Sequence, residues 1–172
     1  MKFFSWNPNK TGIICSGEQS QVLFFVDVSG QFSEVNMSFV YSELKVGDSN
    51  NFQKTITVAD ITLFAAISGD FNPMHVSAQF AKKTQYKQRI AHGALTSGLI
   101  SAVIANTFPA SIYISQYVEY LAPVFIDDTI TAIIVCKEKL GKGRVRLQTK
   151  CINQNDVLVV DGEAIVRLAR DR

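Results

Sequence analysis

The chain has 172 residues, which is enough for one domain with a sizeable hydrophobic core. Hydrophobic residues make up 47% of it, an ordinary share for a globular protein. Its 17 Lys and Arg residues nearly balance 15 Asp and Glu residues, which argues against a nucleic-acid partner because such proteins concentrate positive charge.

The first part of the chain differs in composition from the rest. Residues 1–40 contain few helix formers, scattered Gly and Ser, and one β-like run at Val22–Val28. We therefore expect an N-terminal extension of uncertain structure over residues 1–40 and a single domain over residues 41–172. Because Met37 also looks like a natural beginning, residues 1–36 are either an appendage or the result of a start assigned too early.

The lack of a recognisable targeting signal and the spacing of the cysteines indicate the compartment in which the protein works. Asn7–Lys10 interrupts the apolar start before a signal-peptide core forms, and no apolar run approaches the roughly 20 residues of a membrane helix. Cys15, Cys136 and Cys151 are odd in number and lack the close spacing of zinc or redox motifs. We expect a cytoplasmic protein with reduced thiols, no membrane partner and no metal.

The segment 57–70 (TVADITLFAAISGD) predicts the first helix of the body. Thr57 can serve as its N-cap, and Gly69 ends its apolar stripe. Asn72-Pro73 is typical of a turn, and Ser77–Lys83 predicts a short second helix.

A different kind of helix is predicted at Ala94–Phe108, which carries no charged residue. Pro109 closes the segment, so we expect the helix to end near Asn106. Because a helix that is apolar on all sides must be buried on all sides, it should pass through the middle of the fold.

Four β-type runs follow this helix, and turn signals at 141–143 and 153–155 separate the last three. These last three should form an antiparallel meander. The four runs are Ser111–Leu121, Thr129–Glu138, Arg144–Asn153 and Asp156–Leu168. The predicted fold class is α+β, with an antiparallel sheet wrapped around a central buried helix.

Asp70 and His75 are the first candidate catalytic residues. They are five residues apart with Asn72-Pro73 between them, so a turn can bring the imidazole back beside the carboxylate. Such a pair can hold one water between an acceptor and a group that exchanges protons near neutral pH. Without further context, the same residues also fit a loop aspartate, a plain turn and a hydrogen-bonded histidine.

Gly93 is the third candidate, because it comes immediately before the uncharged helix. Free N–H groups and the positive dipole end at a helix start favour an oxygen that gains negative charge, and Gly lets a substrate approach closely. His92 beside it is expected to fix the loop by hydrogen bonds rather than to react.

Two further groups are candidate substrate-binding residues. Ser97, Ser101 and Ile104 share one face of the uncharged helix, as either the wall of an acyl tunnel or packing against the sheet. Arg89 belongs to a basic cluster that is either a phosphate-binding surface or a solvated one. The rest of that cluster is Lys82, Lys83 and Lys87.

These segments resemble the MaoC-like dehydratases and (R)-specific enoyl-CoA hydratases, also called hydratase 2. The resemblance covers about residues 41–169, in the same order and spacing. Its motifs are Ile67-Ser68-Gly69-Asp70-Phe71-Asn72-Pro73-Met74-His75 with Ala78, Arg89-Ile90-Ala91-His92-Gly93, Leu121-Ala122-Pro123-Val124 and Gly162-Glu163-Ala164. Gln88-Arg89 departs from the Arg-Pro or Gly-Arg common in that family.

The resemblance implies a hot-dog fold, usually dimeric, in which Asp70 and His75 activate a water that adds to a trans-2-enoyl thioester. It implies that the Gly93 N–H holds the thioester oxygen and that Asn72 orients the loop. Coenzyme A enters as part of the substrate, and no cofactor is expected. Two rivals remain: a dehydratase acting on acyl-carrier protein, and a non-catalytic module that binds acyl thioesters, against which the intact Asp70 and His75 argue.

Overall fold

The computed structural model describes residues 10–13, 23–27, 32–35 and 41–169. Within the predicted N-terminal extension, three strands form an antiparallel sheet in the order β1-β2-β3. They are β1 (Lys10–Ile13), β2 (Leu23–Asp27) and β3 (Phe32–Val35). The β-like run at Val22–Val28 thus contains β2, its two end residues lie outside the described residues, and the division at residue 40 stays a prediction.

The body of the chain contains five strands and four helices among the described residues. They are β4 (Ser49–Thr55), α1 (Val58–Ser68), α2 (Pro73–Val76), α3 (Ala78–Ala81), α4 (Gly93–Thr107), β5 (Ile112–Tyr120), β6 (Thr129–Gly141), β7 (Arg144–Ile152) and β8 (Leu158–Arg167). The strands form one antiparallel sheet in the order β4-β6-β7-β8-β5, and α4 packs on it. The predicted α+β class and the predicted meander are confirmed.

Helix α1 begins and ends where its capping residues place it. The Thr57 hydroxyl accepts from the N–H of Asp60, and the Asp60 carboxylate accepts from the N–H of Thr57, which completes a capping box. Gly69 ends the helix at φ 77°, in the left-handed region, and donates its N–H to Ala65 O. The chain after Gly69 is thereby turned out of the helix and into the loop that carries Asp70.

Helix α4 buries one face rather than its whole circumference. Its buried residues form a single stripe against the sheet, whereas small residues on the opposite side are exposed. The buried residues are Thr96, Leu99, Ile100, Val103, Ile104 and Thr107, and exposed positions include Ala94, Gly98, Ser101 and Ala105. The expectation of burial on every side was wrong for a single chain, because small side chains carry too little apolar area to force burial.

Strand β4 was not predicted. Its residues alternate between exposed and half-buried along Ser49–Thr55, but Phe52 is the one large apolar side chain among them. The period of two therefore exists in the fold without a hydrophobic pattern to reveal it.

Among the described residues, no helix has the length and apolar character needed to cross a membrane.

Candidate active site

The loop after α1 holds Asp70 through short-range hydrogen bonds. Asp70 Oδ1 accepts from the N–H of Asn72 at 3.1 Å, and the N–H of Asp70 donates to Ser68 Oγ at 3.2 Å. Asn72 Oδ1 in turn accepts from the N–H of Met74 at 3.1 Å and caps α2. The amide of Asn72 therefore sets the start of the turn of helix that carries His75.

The ring of His75 is oriented by a main-chain carbonyl. His75 Nδ1 lies 2.8 Å from Ile90 O, and a carbonyl only accepts, so Nδ1 carries the proton. In the neutral ring, Nε2 then keeps its lone pair. His75 is half-buried, and because Ile90 O holds its ring, Nε2 is presented as a hydrogen-bond acceptor in a fixed orientation.

His92 lies behind this pair and is 1% exposed. Its Nε2 donates to the main-chain oxygen of Asp70 at 3.0 Å, so the hydrogen bond expected between His92 and the loop is present. Its ring centroid lies 3.9 Å from that of His75, with the planes tilted by 33°, and 4.9 Å from that of Phe64. Nδ1 of His92 is buried without a hydrogen-bond partner among the described residues.

The three side chains converge on one small space. One nitrogen or oxygen atom from each of Asp70, His75 and His92 lies within 4.8 Å of those of the other two. A carboxylate oxygen and an imidazole nitrogen at that separation can share one water, because each hydrogen bond spans about 2.8 Å. Two imidazoles and a carboxylate are also a donor set that transition metals accept, so the expectation of no metal stays a prediction.

A cleft of about 490 Å³ adjoins this cluster and brings His75 and Gly93 together. Gly93 begins α4, and the side chain of His92 does not cap the helix. Within the described residues the Gly93 N–H has no hydrogen-bond partner, so this donor is open to a ligand. The cleft is lined by His75, Tyr86, Ile90, Ala91, Gly93, Ala94, Thr96, Tyr120, Leu121, Ala122, Pro123, Val124, Val159 and Val160.

Of the predicted site residues, His75 and Gly93 line this cleft, and the others do not: Asp70, Asn72, Ser97, Ser101, Ile104 and Arg89. Ser97 is half-buried and bonded to Tyr120 through its hydroxyl, Ser101 is exposed, and Ile104 lies in the hydrophobic core at 1% exposure. Arg89 is half-buried and has no salt bridge to any described residue. The remaining members of the basic cluster, Lys82, Lys83 and Lys87, are exposed.

Sequence reasoning missed most of the cleft wall. Tyr120 and the 121–124 segment follow β5, and Val159 and Val160 come from β8. Leu121-Ala122-Pro123-Val124 was noticed as a motif, but nothing in it indicated a position beside Gly93. A turn motif directly after a strand is the signal that could have raised the question.

Comparison with known proteins identifies the family. The family model described as "MaoC like domain" matches residues 43–160. The chain belongs to the MaoC-like family. Its expected hot-dog fold is confirmed by the unliganded R-hydratase PhaJ1 from Pseudomonas aeruginosa, with a TM-score of 0.74, 42% identity, and 77% of this chain and 86% of that chain covered.

Two curated relatives of this MaoC-like protein are named for the two directions of one reaction, hydration and dehydration of acyl thioesters. The (R)-specific enoyl-CoA hydratase of Rhodospirillum rubrum is 40% identical over 129 residues, covering 73% of this chain and 89% of the relative. The mitochondrial 3-hydroxyacyl-[acyl-carrier-protein] dehydratase of Arabidopsis thaliana is 36% identical over 125 residues, covering 70% and 75%. The chain is accordingly an enzyme of the hydro-lyase class.

Proposed function

We propose that this protein catalyses the reversible hydration of a trans-2-enoyl-CoA to the (3R)-3-hydroxyacyl-CoA. The observation that carries the proposal is the orientation of His75. Its Nδ1–H is bound to Ile90 O, which leaves Nε2 as an acceptor, and one nitrogen of this ring lies within 4.8 Å of a carboxylate oxygen of Asp70. The cleft beside this pair begins at the open N–H of Gly93.

The reaction needs only groups that this geometry supplies. A water held between Asp70 and His75 loses a proton to the pair as its oxygen bonds to C3 of the enoyl thioester. The electron pair of the double bond moves toward the thioester oxygen, which the Gly93 N–H stabilises as it becomes negative. The pair then delivers a proton to C2, so that one water has been added and no cofactor is consumed.

Substrate recognition is proposed for the residues around the pair. Arg89 and the neighbouring lysines suit the phosphates of coenzyme A, and Asn72 holds the loop that presents Asp70 and His75. The Arabidopsis relative favours one alternative, dehydration of a thioester on acyl-carrier protein, because that protein is named for it. The same pair and the same Gly93 N–H would serve either thiol carrier.

We also propose a cytoplasmic homodimer. Strand β5 is one edge of the sheet, and it carries exposed apolar side chains at Ile112, Ile114 and Tyr117. The uncovered face of α4 carries small residues that allow close approach. A second copy that covers both surfaces would bury area that a single chain leaves in water. Sedimentation of the purified protein tests the oligomeric state directly.

The deciding assay follows the fall in crotonyl-CoA absorbance with purified protein. Asp70→Asn and His75→Gln should each lower the rate by at least about 10²-fold, the range for a positioned acid–base group. Asp127→Asn is the matched control, because Asp127 is exposed and does not line the cleft. Near-wild-type turnover in either site variant would contradict the assignment, and parallel assays with the acyl-carrier-protein thioester decide the carrier.

A further inference from the structure

Asp70, His75 and His92 together offer the donor atoms that a transition-metal ion binds. Among the described residues, they are the one group of three such side chains that lie close together, with a ligand atom of each within 4.8 Å of the others. Imidazole nitrogen and carboxylate oxygen both bind Zn²⁺, at about 2.0–2.2 Å. Tetrahedral ligands at that length lie about 3.4 Å apart, so any two of these atoms must approach by at most about 1.4 Å to hold one ion.

Both rings already make the hydrogen bond that metal-binding histidines make. Such a histidine donates its second ring N–H to a carbonyl or carboxylate, which leaves the other nitrogen for the metal. His75 Nδ1 donates to Ile90 O at 2.8 Å, and His92 Nε2 donates to Asp70 O at 3.0 Å. In the neutral rings, the nitrogens without a proton are therefore His75 Nε2 and His92 Nδ1, so an ion can bind both rings without displacing a proton.

The buried nitrogen of His92 is an independent sign of a ligand. His92 is 1% exposed, and its Nδ1 is buried without a hydrogen-bond partner among the described residues. A buried acceptor of this kind is unfavourable, because it has lost its water and gained no other hydrogen bond. The contact between His92 and the Asp70 loop needs only Nε2–H, so the loop does not explain the lone pair on Nδ1. A bound ion would satisfy it.

The carboxylate of Asp70 supplies the negative charge of the group. Oδ1 accepts from the N–H of Asn72, and a carboxylate has two oxygens, so one can bind an ion while the other keeps this hydrogen bond. No described Lys, Arg or His forms a salt bridge with Asp70. A divalent cation would therefore compensate a charge that the described residues leave unpaired.

We propose that Zn²⁺ binds Asp70, His75 and His92 and thereby inhibits the enzyme. The ion takes a carboxylate oxygen of Asp70 and the Nε2 lone pair of His75, which are the acceptors assigned to the reacting water. A lone pair that binds an ion cannot remove a proton, and hydration itself needs no metal. The inhibition rests on the proposed function, whereas the binding of zinc does not, so each is measured separately.

Zinc binding is measured without substrate, by competition with a chromophoric chelator. The full chain carries Cys15→Ser, because a thiol is a rival ligand for zinc. One zinc per chain should bind, and Asp70→Asn, His75→Gln and His92→Gln should each raise its dissociation constant at least about 10- to 100-fold, since changes beside a metal ligand already have effects of that size. Asp127→Asn removes a carboxylate outside the group and should leave the constant unchanged.

Two further readouts identify the ligands without relying on affinity alone. Cobalt(II) in place of zinc should show the absorption of a nitrogen and oxygen site, without the charge-transfer band of a bound thiolate. Zinc should also raise the thermal unfolding midpoint of the Cys15→Ser chain, because it binds the folded form, and should raise it less in the three variants. A variant that fails to fold is thereby recognised from its own midpoint.

Inhibition is measured on crotonyl-CoA hydration with a buffered concentration of free zinc, because the phosphates of coenzyme A also bind cations. Half-inhibition should occur near the dissociation constant, and EDTA should restore the rate. His92→Gln separates coordination from catalysis, because its amide keeps an N–H donor for Asp70 O but has no imidazole nitrogen. The hydration that this variant retains should need at least about tenfold more zinc for half-inhibition.

The outcomes separate the zinc site from the proposed function. Equal zinc affinity in the parent chain and all three variants, or a thiolate band with cobalt, would overturn the site. Hydration that saturating zinc leaves unchanged or accelerates would overturn the inhibition. A chain that binds zinc through these three residues but does not hydrate crotonyl-CoA without zinc would overturn the proposed function and leave the site standing.

Discussion

The imidazole of His92 stacks on that of His75 at 3.9 Å between ring centroids, and its Nε2–H holds the main-chain oxygen of Asp70. One buried side chain thus contacts both members of the proposed water-binding pair. It also directly precedes Gly93, the first residue of α4. His92 is therefore a positioning residue that ties the Asp70 loop, α2 and the helix start to one another.

Replacing His92 should lower kcat, because His92 positions Asp70 and His75 and is not proposed to bind the substrate itself. His92→Leu keeps an apolar side chain against His75 but leaves Asp70 O without its donor, which should lower kcat at least about tenfold and stability by about 1–3 kcal/mol. His92→Gln restores an N–H donor and should recover part of kcat. Steady-state kinetics and thermal unfolding of both variants check this, and wild-type kcat in His92→Leu would refute the positioning role.

The candidate pair was predictable because its determinants are local in sequence. Asp70, the Asn72 cap and His75 lie within six residues, and the bonds accepted by Asp70 Oδ1 and Asn72 Oδ1 each span two positions, although the orientation of the His75 ring depends on the more distant Ile90 O. The opposite wall of the cleft was not predictable, because Tyr120 reaches Gly93 only through the pairing of β5 with β8. Contacts that depend on strand register produce no characteristic residue spacing, so the sequence does not predict them.

The same distinction separates the elements of the fold. Helix α1 was predicted to its ends, since Thr57 and Gly69 are capping residues with strong conformational preferences. Strand β4 is held by its ladder with β6, from Ser49 opposite Val135 to Thr55 opposite Thr129, and not by its own residues. The extent of burial around α4 also depends on neighbours rather than on its uncharged sequence.

The two described cysteines should be unreactive in the folded protein. Burial raises the pKa of Cys151 to about 12 and also raises that of Cys136. A raised folded pKa gives stability that is fully present below about pH 9 and is lost as the pH rises toward 12, because the unfolded chain ionises first. In a Cys15→Ser variant, thiol titration at pH 8 should detect no thiol until denaturant is added, and unfolding midpoints should fall above pH 9. Rapid labelling of both cysteines in the folded state would contradict this burial.

Gly162 of β8 should tolerate no side chain. A Cβ there would lie 2.1 Å from the main-chain oxygen of Tyr117, and neither strand can yield without breaking the β5–β8 ladder. Gly162→Ala should cost about 1–3 kcal/mol or more, as overpacking does. Gly98→Ala is the matched control, because nothing in the same chain lies within 4 Å of its added Cβ and Ala stabilises a helix by about 0.5–1 kcal/mol relative to Gly, and the comparison is made at a protein concentration where sedimentation shows single chains. Denaturant titration should therefore move the two midpoints in opposite directions, and equal midpoints would exclude the clash.

The helix face shared by Ser97, Ser101 and Ile104 tests whether α4 sets acyl chain length. Ile104 lies roughly 16 Å along the helix from Gly93, at about 1.5 Å per residue, so only longer acyl chains would reach it. Ile104→Ala should then favour long enoyl-CoAs over crotonyl-CoA by about tenfold, and Ser101→Phe should restrict the enzyme to short ones.

The burial of Ile104 complicates this test in a way that can be controlled. Because Ile104 is 1% exposed, its truncation to Ala also leaves a cavity and should cost about 2–5 kcal/mol of stability. Ile104→Val removes one methyl at a cost of about 0.5–1.5 kcal/mol, so a tunnel wall would still shift chain-length preference while the fold stays near wild type. The measurement is kcat/KM for four-, eight- and twelve-carbon substrates on each variant, beside its unfolding midpoint. A loss that is parallel across all three lengths and follows the midpoint would mean that these residues pack the core, and chain length would then be set by another face of the cleft.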